Sequence, residues 1–499
     1  MQVNSICILG GGTSGFATAS LLAKFRERSG LDFNIKVVYS PTIGSIGVGE
    51  STIFSIRDFF NYLGLEDKDW MPSCKATYKT SIRFDNFYKK GRYFHYPFGK
   101  GQEDAQWKNW FILKDLFPEV FTPERAHIFF HPQSIMSEEN KLIGGEYLID
   151  NTAYHFDANL LQDYLRKYSE DLGVEVVNDT FYGTEQDKYG NIESIVCDDG
   201  TYRADLFVDC SGFKSLLLGK MMREDYISYS NTLINDKAIT AHIPYTDPEK
   251  QLKNHTNCVA LNNGWCWSIP LWDRMSYGYV HTNMFASEEE IEKEFFEHIG
   301  QEIDYKTVHI KTGRYKRGWG KNVVGVGLAY GFIEPLESTS IATTLENIYK
   351  LLELLSKRDL TVTQVDRDLF NHAVSEQVDS YKEFIDRHYY MSSRDDTDYW
   401  RFVTDNIDYK TDTKFLNQMI INRDLNIKSH GAWSGNLYLC CGLDYSCFSK
   451  AYTLISNQKK DELLGEVEKF ESFIAELKRY SDQQPSSYQY QKETLYLDT

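Results

Sequence analysis

The chain has 499 residues, which is too many for one compact core and predicts two or more packed units. Its formal net charge of -18 argues against nucleic acid and anionic membranes as partners, because both require a basic face. The nine cysteines include no Cys-x-x-Cys pair, so we expect neither a disulfide framework nor a metal site, and a cytoplasmic location fits. No apolar run approaches the roughly 20 residues that cross a bilayer, so we expect no membrane segment.

The first elements in the chain predict a β-α-β unit. Residues 5–9 and 35–39 are short apolar runs typical of buried strands, and residues 16–25 form an Ala- and Leu-rich helical pattern between them. This order predicts a parallel sheet in an α/β fold.

A glycine loop, residues 10–15 with the sequence GGGTSG, joins the first strand to the helix. In such a loop the first glycine allows a tight turn, the second lets the backbone approach a pyrophosphate, and the third packs the helix on the strand. N–H groups at the helix start then bind the phosphates. An acid usually holds the ribose at the end of the second strand, but Tyr39 and Ser40 stand there, so the ribose must be held differently. The loop residues predicted to bind the dinucleotide are Gly10, Gly12, Thr13, Ser14 and Gly15.

Two later segments have the pattern of further nucleotide-binding segments. Residues 205–212 and 323–331 are each a strand followed by a glycine-containing turn, and they contain Asp209 and Gly327. Three such segments spread along the chain favour FAD over NAD, since FAD proteins interleave the nucleotide module with substrate sheets. We therefore expect a flavin enzyme.

The remaining patterns predict the domain organisation. A glycine-rich loop at 40–52 precedes a helix at 53–63 and a single strand at 78–84, and a long helix is expected at 338–355. The predicted fold is α/β: an FAD-binding Rossmann-like module of the flavin monooxygenase type with an interleaved β-sheet substrate region and a mainly helical C-terminal lobe. In residue numbers, the module is 1–355, its substrate segments are 75–145 and 220–310, and the lobe is 356–499. The polar stretch 481–499 at its end is either a disordered tail or a strap across the surface.

The sequence resembles the flavin-dependent halogenases, a family that includes the tryptophan halogenases. The matching motifs follow the family order over residues 1–445. They are GGGTSG at Gly10, IGVGEST ending at Thr52, TYKTSIRF around Lys79, TAYHFDANLL at Thr152, DLFVDCSGF at Asp205, GWCWSIP at Gly264, GFIEPLESTSI at Gly331 and SRDDTDYWRF at Ser393.

This resemblance implies a reaction. FADH2 from a separate flavin reductase and O2 oxidise chloride, bromide or iodide to hypohalous acid, which passes through a tunnel to an electron-rich aromatic substrate. Lys79 matches the tunnel lysine, which hydrogen-bonds the hypohalous acid or carries the halogen as a haloamine. Glu337 matches the catalytic glutamate, which polarises the hypohalous acid and accepts the proton lost from the ring.

The resemblance also implies the surrounding site. Flavin contacts are implied for Ser40, Gly47, Val48, Gly49, Glu50, Asp209, Gly327, Leu336 and Ile341. Backbone N–H groups at a helix start are implied to bind halide at Ser338, Thr339 and Ser340. The motif implied to lie beside the flavin and to block ordinary oxygenation contains Trp265, Trp267, Ile269 and Pro270.

The substrate segments match the family less well. The family often has His-Pro-Phe where this chain has Tyr96-Pro97-Phe98, with His95 one place early, and we expect Phe98 to stack on an aromatic substrate. Residues 437–452 lack the Tyr-Tyr and Phe-Trp run with which tryptophan halogenases hold their amino acid. A free indole, a phenol or a similar ring is therefore expected rather than free tryptophan.

Other function classes stay open at the sequence level. A flavin-dependent aromatic hydroxylase would share the FAD segments without needing halide, and a non-catalytic FAD-fold scaffold would form no product. Dependence on halide separates the three. The sequence leaves a homo-oligomer open.

Overall fold

The computed structural model describes residues 1–42, 49–99, 103–409, 433–444 and 460–497. The chain divides into two units, each made of three separate segments. The first unit contains residues 1–76, 156–236 and 309–382, and the second contains residues 77–155, 237–308 and 383–499. Neither unit is continuous in sequence, since the chain passes between them repeatedly.

A six-stranded sheet forms the centre of the first unit. Its inner strands are parallel and almost wholly buried, as expected where helices cover both faces. In spatial order the strands are Trp319–Gly320, Val323–Gly325, Leu206–Asp209, Ser5–Leu9, Asn34–Tyr39 and Glu175–Asn178. Two three-stranded sheets accompany it, made of Phe181–Gln186, Ile192–Cys197 and Thr201–Arg203, and of Tyr226–Ser228, Gly313–Tyr315 and Gly331–Phe332.

The predicted helices of the first unit are present, and the first of them extends beyond its predicted bounds of 16–25 at both ends. The first helix is Thr13–Ser29, and it ends at Gly30, which adopts the left-handed conformation and donates its N–H to the carbonyl of Arg26. The long helix expected at 338–355 is Ser340–Ser356. The others are Ile56–Leu63, Asp67–Trp70 and Ala158–Asp171, and Gln364–Tyr390 starts in this unit and ends in the second.

The second unit is built on a seven-stranded, mostly antiparallel sheet. In spatial order its strands are Lys306–His309, Lys237–Pro244, Arg274–His281, Gly264–Pro270, His255–Ala260, Ser81–Asp85 and Tyr93–Pro97. Its helices are Glu103–Leu116, Ala126–Phe130, Ile135–Glu138, Glu146–Asn151, Pro248–Gln251, Glu288–Ile299, Asp398–Arg401, Trp433–Gly442, Lys460–Asp482 and Ser487–Thr494. The predicted α/β fold with interleaved sheets and a helical C-terminal region is confirmed.

One predicted strand is wrong in its bounds. Residues 78–84 do not form a single strand, because the chain leaves one sheet and enters another at Thr80. Thr77–Lys79 pairs antiparallel with the strand Ala153–Asp157, whereas Ser81–Asp85 lies between two strands of the large sheet. The N–H of Thr80 instead donates to the carbonyl of Asn254 over 2.7 Å, which satisfies the backbone at the break.

The stretch 481–499 is not a featureless tail in its described part. Residues 487–494 form a helix that starts with a capping box between Ser486 and Gln489. Among the described residues, eight cysteines are free and buried, and no helix combines the length and apolarity needed to cross a bilayer.

Candidate functional site

The glycine loop of the first unit has a shape that only glycine allows at two positions. Gly10 has φ +117°, its N–H donates to the carbonyl of Val38 over 2.9 Å, and a Cβ on it would overlap the carbonyl of Cys210. A Cβ on Gly15 would overlap the carbonyl oxygen of Gly10. The loop is therefore closed tightly against the strand that ends at Asp209.

Gly12 faces the other way. A Cβ there would have no heavy atom within 4 Å, so one side of the loop is open. Gly12 also caps the helix Thr13–Ser29, which has neither a side-chain cap nor an acid in its first turn. The backbone N–H groups and the positive end of the helix dipole are thus free of competing side-chain anions, which fits a pyrophosphate.

The segment after the strand Val323–Gly325 meets the same loop. Gly327 has φ +64°, and a Cβ on it would overlap the hydroxyl oxygen of Ser14. The fold therefore brings all three predicted nucleotide segments together. A small concavity adjoins this point. It is lined by Gly327, Leu328, Gly331, Phe332, Ile333, Ser340, Thr343 and Val378.

Asp209 is buried and has four local hydrogen-bond donors. Its carboxylate accepts from the N–H and the hydroxyl of Ser211, and from the N–H groups of Leu217 and Leu218, over 2.6–3.0 Å. Burial nevertheless raises the pKa of Asp209 above its ordinary value. These contacts give the carboxylate a local task, which is to fix the turn after the strand.

Tyr39 occupies the place where an acid was expected. Its ring lies against Gly11 and packs edge-on against Phe16 at a centroid distance of 5.6 Å. The guanidinium of Arg166 donates to the Tyr39 hydroxyl over 3.4 Å, while its buried Nε has no hydrogen-bond partner among the described residues. Ser40 accepts from the Thr180 hydroxyl over 3.0 Å. No sequence signal indicated Arg166, because it lies on the helix Ala158–Asp171, far along the chain from the strand that ends at Tyr39.

The glycine-rich loop 40–52 is described only at residues 40–42 and 49–52. Gly47 and Val48 lie outside the described residues, and Gly49 and Glu50 belong to the short strand Gly49–Ser51. Burial raises the pKa of Glu50 to about 7. This carboxyl group therefore titrates near neutral pH.

The predicted halide segment forms the start of a helix. Residues 335–337 form one 3-10 turn, Ser338 follows with φ +58°, and its hydroxyl donates to the Ser51 hydroxyl over 3.0 Å. Thr339 is the N-cap residue of the helix Ser340–Ser356 without a side-chain cap, and its buried hydroxyl has no partner among the described residues. An uncapped helix start with an unused hydroxyl donor fits a small anion.

The acids of this segment are also buried. Glu337 is 3% exposed, and Leu336 beside it is fully buried. Glu334 is fully buried as well and accepts a hydrogen bond from Asn235 over 3.1 Å. Ile341 is half-buried in the first turn of the helix.

Lys79 lies in the second unit at the end of the short strand Thr77–Lys79, which we call the lysine strand. Lys79 is 0% exposed, and its ammonium nitrogen lies 5.0 Å from the centre of the Phe98 ring. Lysine is almost never fully buried unless its ammonium group has a partner. The structure therefore brings two of the predicted residues, Lys79 and Phe98, together.

A buried histidine that the sequence analysis did not single out lies next to this lysine. The Thr77 hydroxyl donates its only proton to the carbonyl of Pro270 over 2.6 Å, so Nδ1 of His155, 3.1 Å away, must donate to the Thr77 oxygen. Its Nε2 then accepts from the Thr256 hydroxyl over 2.9 Å. Burial and the neighbouring Lys79 charge hold the pKa of His155 well below its usual range. A neutral imidazole of fixed tautomer thus lies near the lysine, on the paired strand. This histidine is part of the TAYHFDANLL motif, which was the sequence feature that could have indicated it.

His95 and Phe98 have different interaction partners. His95 is turned into a buried cluster, where Nδ1 is 2.9 Å from the Ser81 hydroxyl and Nε2 is 3.5 Å from the Glu138 carboxylate. Tyr96 instead stacks on Tyr438 at a centroid distance of 5.6 Å. Burial lowers the pKa of His95 far below its usual range, so the imidazole is neutral.

The tryptophan motif forms the strand Gly264–Pro270 in the second unit. The Trp265 and Trp267 rings lie 5.9 Å apart, and the Trp267 ring covers Gly278 on the neighbouring strand so closely that a Cβ there would overlap it. Ile269 is buried, and Pro270 receives the Thr77 hydrogen bond. The motif and the lysine strand are therefore joined directly.

A wider cavity in the first unit lies among other residues. Its cations already have partners: Arg317 pairs with Glu224, and Lys321 donates to the carbonyl of Tyr189. It contains none of the predicted site residues.

The tryptophan halogenase family model matches residues 5–440, which is most of the chain. The chain belongs to the tryptophan halogenase family. It is 35% identical over 427 residues to the 7-chloro-L-tryptophan 6-halogenase KtzR of Kutzneria sp. (strain 744), covering 79% of this chain and 80% of KtzR.

Solved structures of similar proteins agree with this assignment. The apo structure of VirX1 matches with a TM-score of 0.89 and 34% identity over 99% of this chain and 100% of VirX1. BrvH, a flavin-dependent halogenase from Brevundimonas sp. BAL3, matches with a TM-score of 0.84 and 26% identity over 99% of each chain. The halogenase described here is thus a flavin-dependent enzyme that uses FAD, O2 and halide.

Proposed function

We propose that this halogenase transfers halogen from hypohalous acid to an electron-rich indole or phenol rather than to free tryptophan, with Lys79 and Glu337 acting in the transfer step. In this step the aromatic C–H and HOX give a C–X bond and water. Reduced FAD, when bound, would give two electrons to O2, and the halide would give the other two as it is oxidised to hypohalous acid, with water as the second product. A separate flavin reductase would provide the FAD in the reduced form.

The complete burial of Lys79 carries the proposal. A lysine held at 0% exposure beside an aromatic ring and a neutral histidine needs a reason other than solubility, and an active-site role is the usual one. Its ammonium group can donate hydrogen bonds to the oxygen of hypohalous acid, or the amine can carry the halogen. Water exclusion would protect either species from hydrolysis.

Glu337 and the segment after it have complementary tasks. We assign to Glu337 the acceptance of the proton that leaves the ring carbon. The Ser338–Ser340 segment would hold the halide, with the Thr339 hydroxyl and the helix start as donors. The hypohalous acid would reach Lys79 through a tunnel.

The glycine loop would hold the FAD pyrophosphate. Gly12 supplies the open side, and Gly10 and Gly15 supply the tight turn behind it. Arg166, beside the Tyr39 hydroxyl, is the candidate for the ribose or a phosphate, because its Nε has a free donor at the place where the acid is missing.

The substrate assignment rests on the second unit. Where the family often has a histidine, this chain has Tyr96, whose ring stacks on Tyr438 of the helix Trp433–Gly442. The motif that tryptophan halogenases use for the amino acid is missing from residues 437–452, of which 437–444 are described. A ring without a charged amino-acid group therefore fits better.

The test supplies reduced FAD and O2 with indole, phenol and tryptophan, adds chloride, bromide or iodide in turn, and identifies products by mass. Lys79→Met and Glu337→Gln are expected to lower product formation about 100-fold or more. Lys306→Met, which changes an exposed strand lysine, is the matched control and should behave like wild type.

Each alternative has its own signature in that experiment. Oxygenated product formed equally without halide would indicate a hydroxylase, and no product with any halide would indicate a scaffold. Wild-type rates in Lys79→Met would remove the lysine from the mechanism. Preference for tryptophan over indole and phenol would overturn the substrate assignment alone.

A further inference from the structure

The helix Ser487–Thr494 near the end of the chain bonds directly to the lysine strand. The backbone N–H of Tyr78 donates to Oε1 of Gln491 over 3.0 Å, although 413 residues separate them. Gln491 is 0% exposed. The residue that immediately precedes Lys79 is therefore tied to a buried side chain from the far end of the chain.

This hydrogen bond fills an opening at the edge of a sheet. The lysine strand pairs with Ala153–Asp157 on one side and is the edge strand of its sheet on the other. Because an edge strand has N–H groups without a strand partner, a buried N–H group of this kind requires another acceptor. The Gln491 side chain therefore supplies the acceptor that a neighbouring strand would supply in the interior of a sheet.

The orientation of the Gln491 amide is fixed by its second set of contacts. Its Nε2 donates to the carbonyl of Ser487 over 3.0 Å and to the Ser487 hydroxyl over 3.1 Å. Both partners accept, so the nitrogen faces them and the oxygen faces Tyr78. The buried amide uses its donor and its acceptor in one geometry.

The helix itself is firmly attached to the second unit. The Trp272 ring is stacked between Tyr488, at a centroid distance of 5.1 Å, and Tyr496, at 3.9 Å. The N–H of Ser487 donates to the carbonyl of Asn140 over 2.9 Å. Gln491 is thus presented by a rigid element and not by a loose end.

We propose that Gln491 is a positioning residue for Lys79, an inference that rests on the proposed role of Lys79 in halogen transfer. The lysine strand is already tied at Thr77 through Pro270 and after Lys79 through the bond from Thr80 to Asn254. Gln491 closes the remaining side at Tyr78. Without it the strand edge is free to shift, and a shift of about 1 Å at a reacting group lowers rates by up to about 100-fold.

The experiment compares full-length wild type with Gln491→Met, which keeps the length of the side chain but has no strong acceptor. Gln491→Glu keeps the acceptor oxygen, and its buried carboxyl group, when protonated, also keeps a donor toward the Ser487 carbonyl, so it is the rescue variant. Gln483→Met makes the same change at an exposed position just before the helix and is the matched control. Each protein receives reduced FAD, O2, bromide and indole, with and without a β-diketone that traps free hypobromous acid.

Three quantities are measured: kcat and KM for bromoindole formation, the total oxidant trapped, and hydrogen exchange at the Tyr78 amide. For Gln491→Met we expect faster exchange at Tyr78, a kcat lower by about 10- to 100-fold and an unchanged KM. Total oxidant should stay constant, with more of it reaching the trap. Gln491→Glu should restore most of the partition toward bromoindole.

The outcomes separate this proposal from the proposed function. If wild type makes no halogenated product from indole or phenol with any halide, or Lys79→Met equals wild type, the proposed function fails. If those controls behave as expected, the Gln491 proposal is overturned by an unchanged partition or unchanged Tyr78 exchange in Gln491→Met. An equal fall of product and total oxidant would also overturn it, because that pattern is general destabilisation.

Discussion

The glycine loop of the first unit is partly buried and the lysine strand of the second is fully buried, and the two are shaped by different forces. The loop is shaped by close contacts at Gly10 and Gly15, where backbone atoms leave no space for a side chain. The lysine strand and Thr80 after it are held by hydrogen bonds that they donate to Pro270, Asn254 and Gln491, which lie 193, 174 and 413 residues away. Adding atoms to the loop should therefore destabilise it. The strand should instead be destabilised when a hydrogen-bond partner is removed or when a buried group changes its protonation state.

The largest effect is expected at Gly15. In Gly15→Ala the new Cβ would meet the Gly10 carbonyl, which is backbone and cannot turn aside, so we expect a loss of about 3 kcal/mol or more in the free energy of unfolding. Thermal and denaturant unfolding measure this loss. Gly183→Ala, where a Cβ has open space, is the control and should change stability little.

The next effect is acid lability in the second unit. The pKa of His255 is lowered to about 3, mainly by burial and also by the charges of Arg83 and Lys253, while the charge of Glu138 acts in the opposite direction. Between pH 7 and pH 5 the unfolded state therefore binds a proton that the folded state does not, so stability falls as the pH falls. The loss is about 2 kcal/mol for one fully shifted histidine.

Unfolding followed by urea at pH 7 and pH 5 measures this slope. His255→Gln should reduce it by about that amount, whereas His309→Gln, at an exposed position, should leave it unchanged. A slope equal to wild type in His255→Gln would mean that His255 is not held neutral in the folded state.

Asp209 tests the hydrogen-bonded part of the first unit. Asp209→Asn keeps the shape but turns one oxygen into a donor that faces the N–H groups of Leu217 and Leu218. We expect a loss of about 1–3 kcal/mol. If stability is unchanged while FAD binding is lost, the carboxylate contacts the cofactor instead of holding the turn.

The smallest effect on stability is expected at Gly12. Gly12→Ala adds a methyl group to open space, so unfolding should change by less than about 0.5 kcal/mol. The same methyl group would stand where the pyrophosphate approaches, and FAD affinity measured by fluorescence titration should fall. An unchanged affinity would place the pyrophosphate elsewhere.

The same contrast explains what the sequence could predict. The strands Ser5–Leu9 and Asn34–Tyr39, the glycine loop and the helix Ser340–Ser356 follow from local patterns of residue type, and they were predicted close to their observed bounds. The resemblance correctly indicated the family, because its motifs keep their order along most of the chain.

Features of the lysine strand required contacts that no local pattern contains. The break at Thr80 depends on Asn254, and the inward turn of His95 depends on Ser81 and Glu138. A polar stretch such as 481–499 gives no sign that Gln491 reaches Tyr78, since a buried glutamine and an exposed one look alike in sequence. Alternation along a strand predicts that neighbouring side chains point to opposite faces of the sheet, but it does not predict which face lies toward the site.

The contact between Trp267 and Gly278 has an evolutionary consequence. The indole ring occupies the volume that any side chain at position 278 would need, and the two residues lie opposite each other on paired strands. Neither residue can change first without a penalty: a side chain at 278 displaces the ring, and a smaller residue at 267 leaves bare backbone. Among relatives of this halogenase, substitutions at these two positions should therefore occur together, so that the two positions covary.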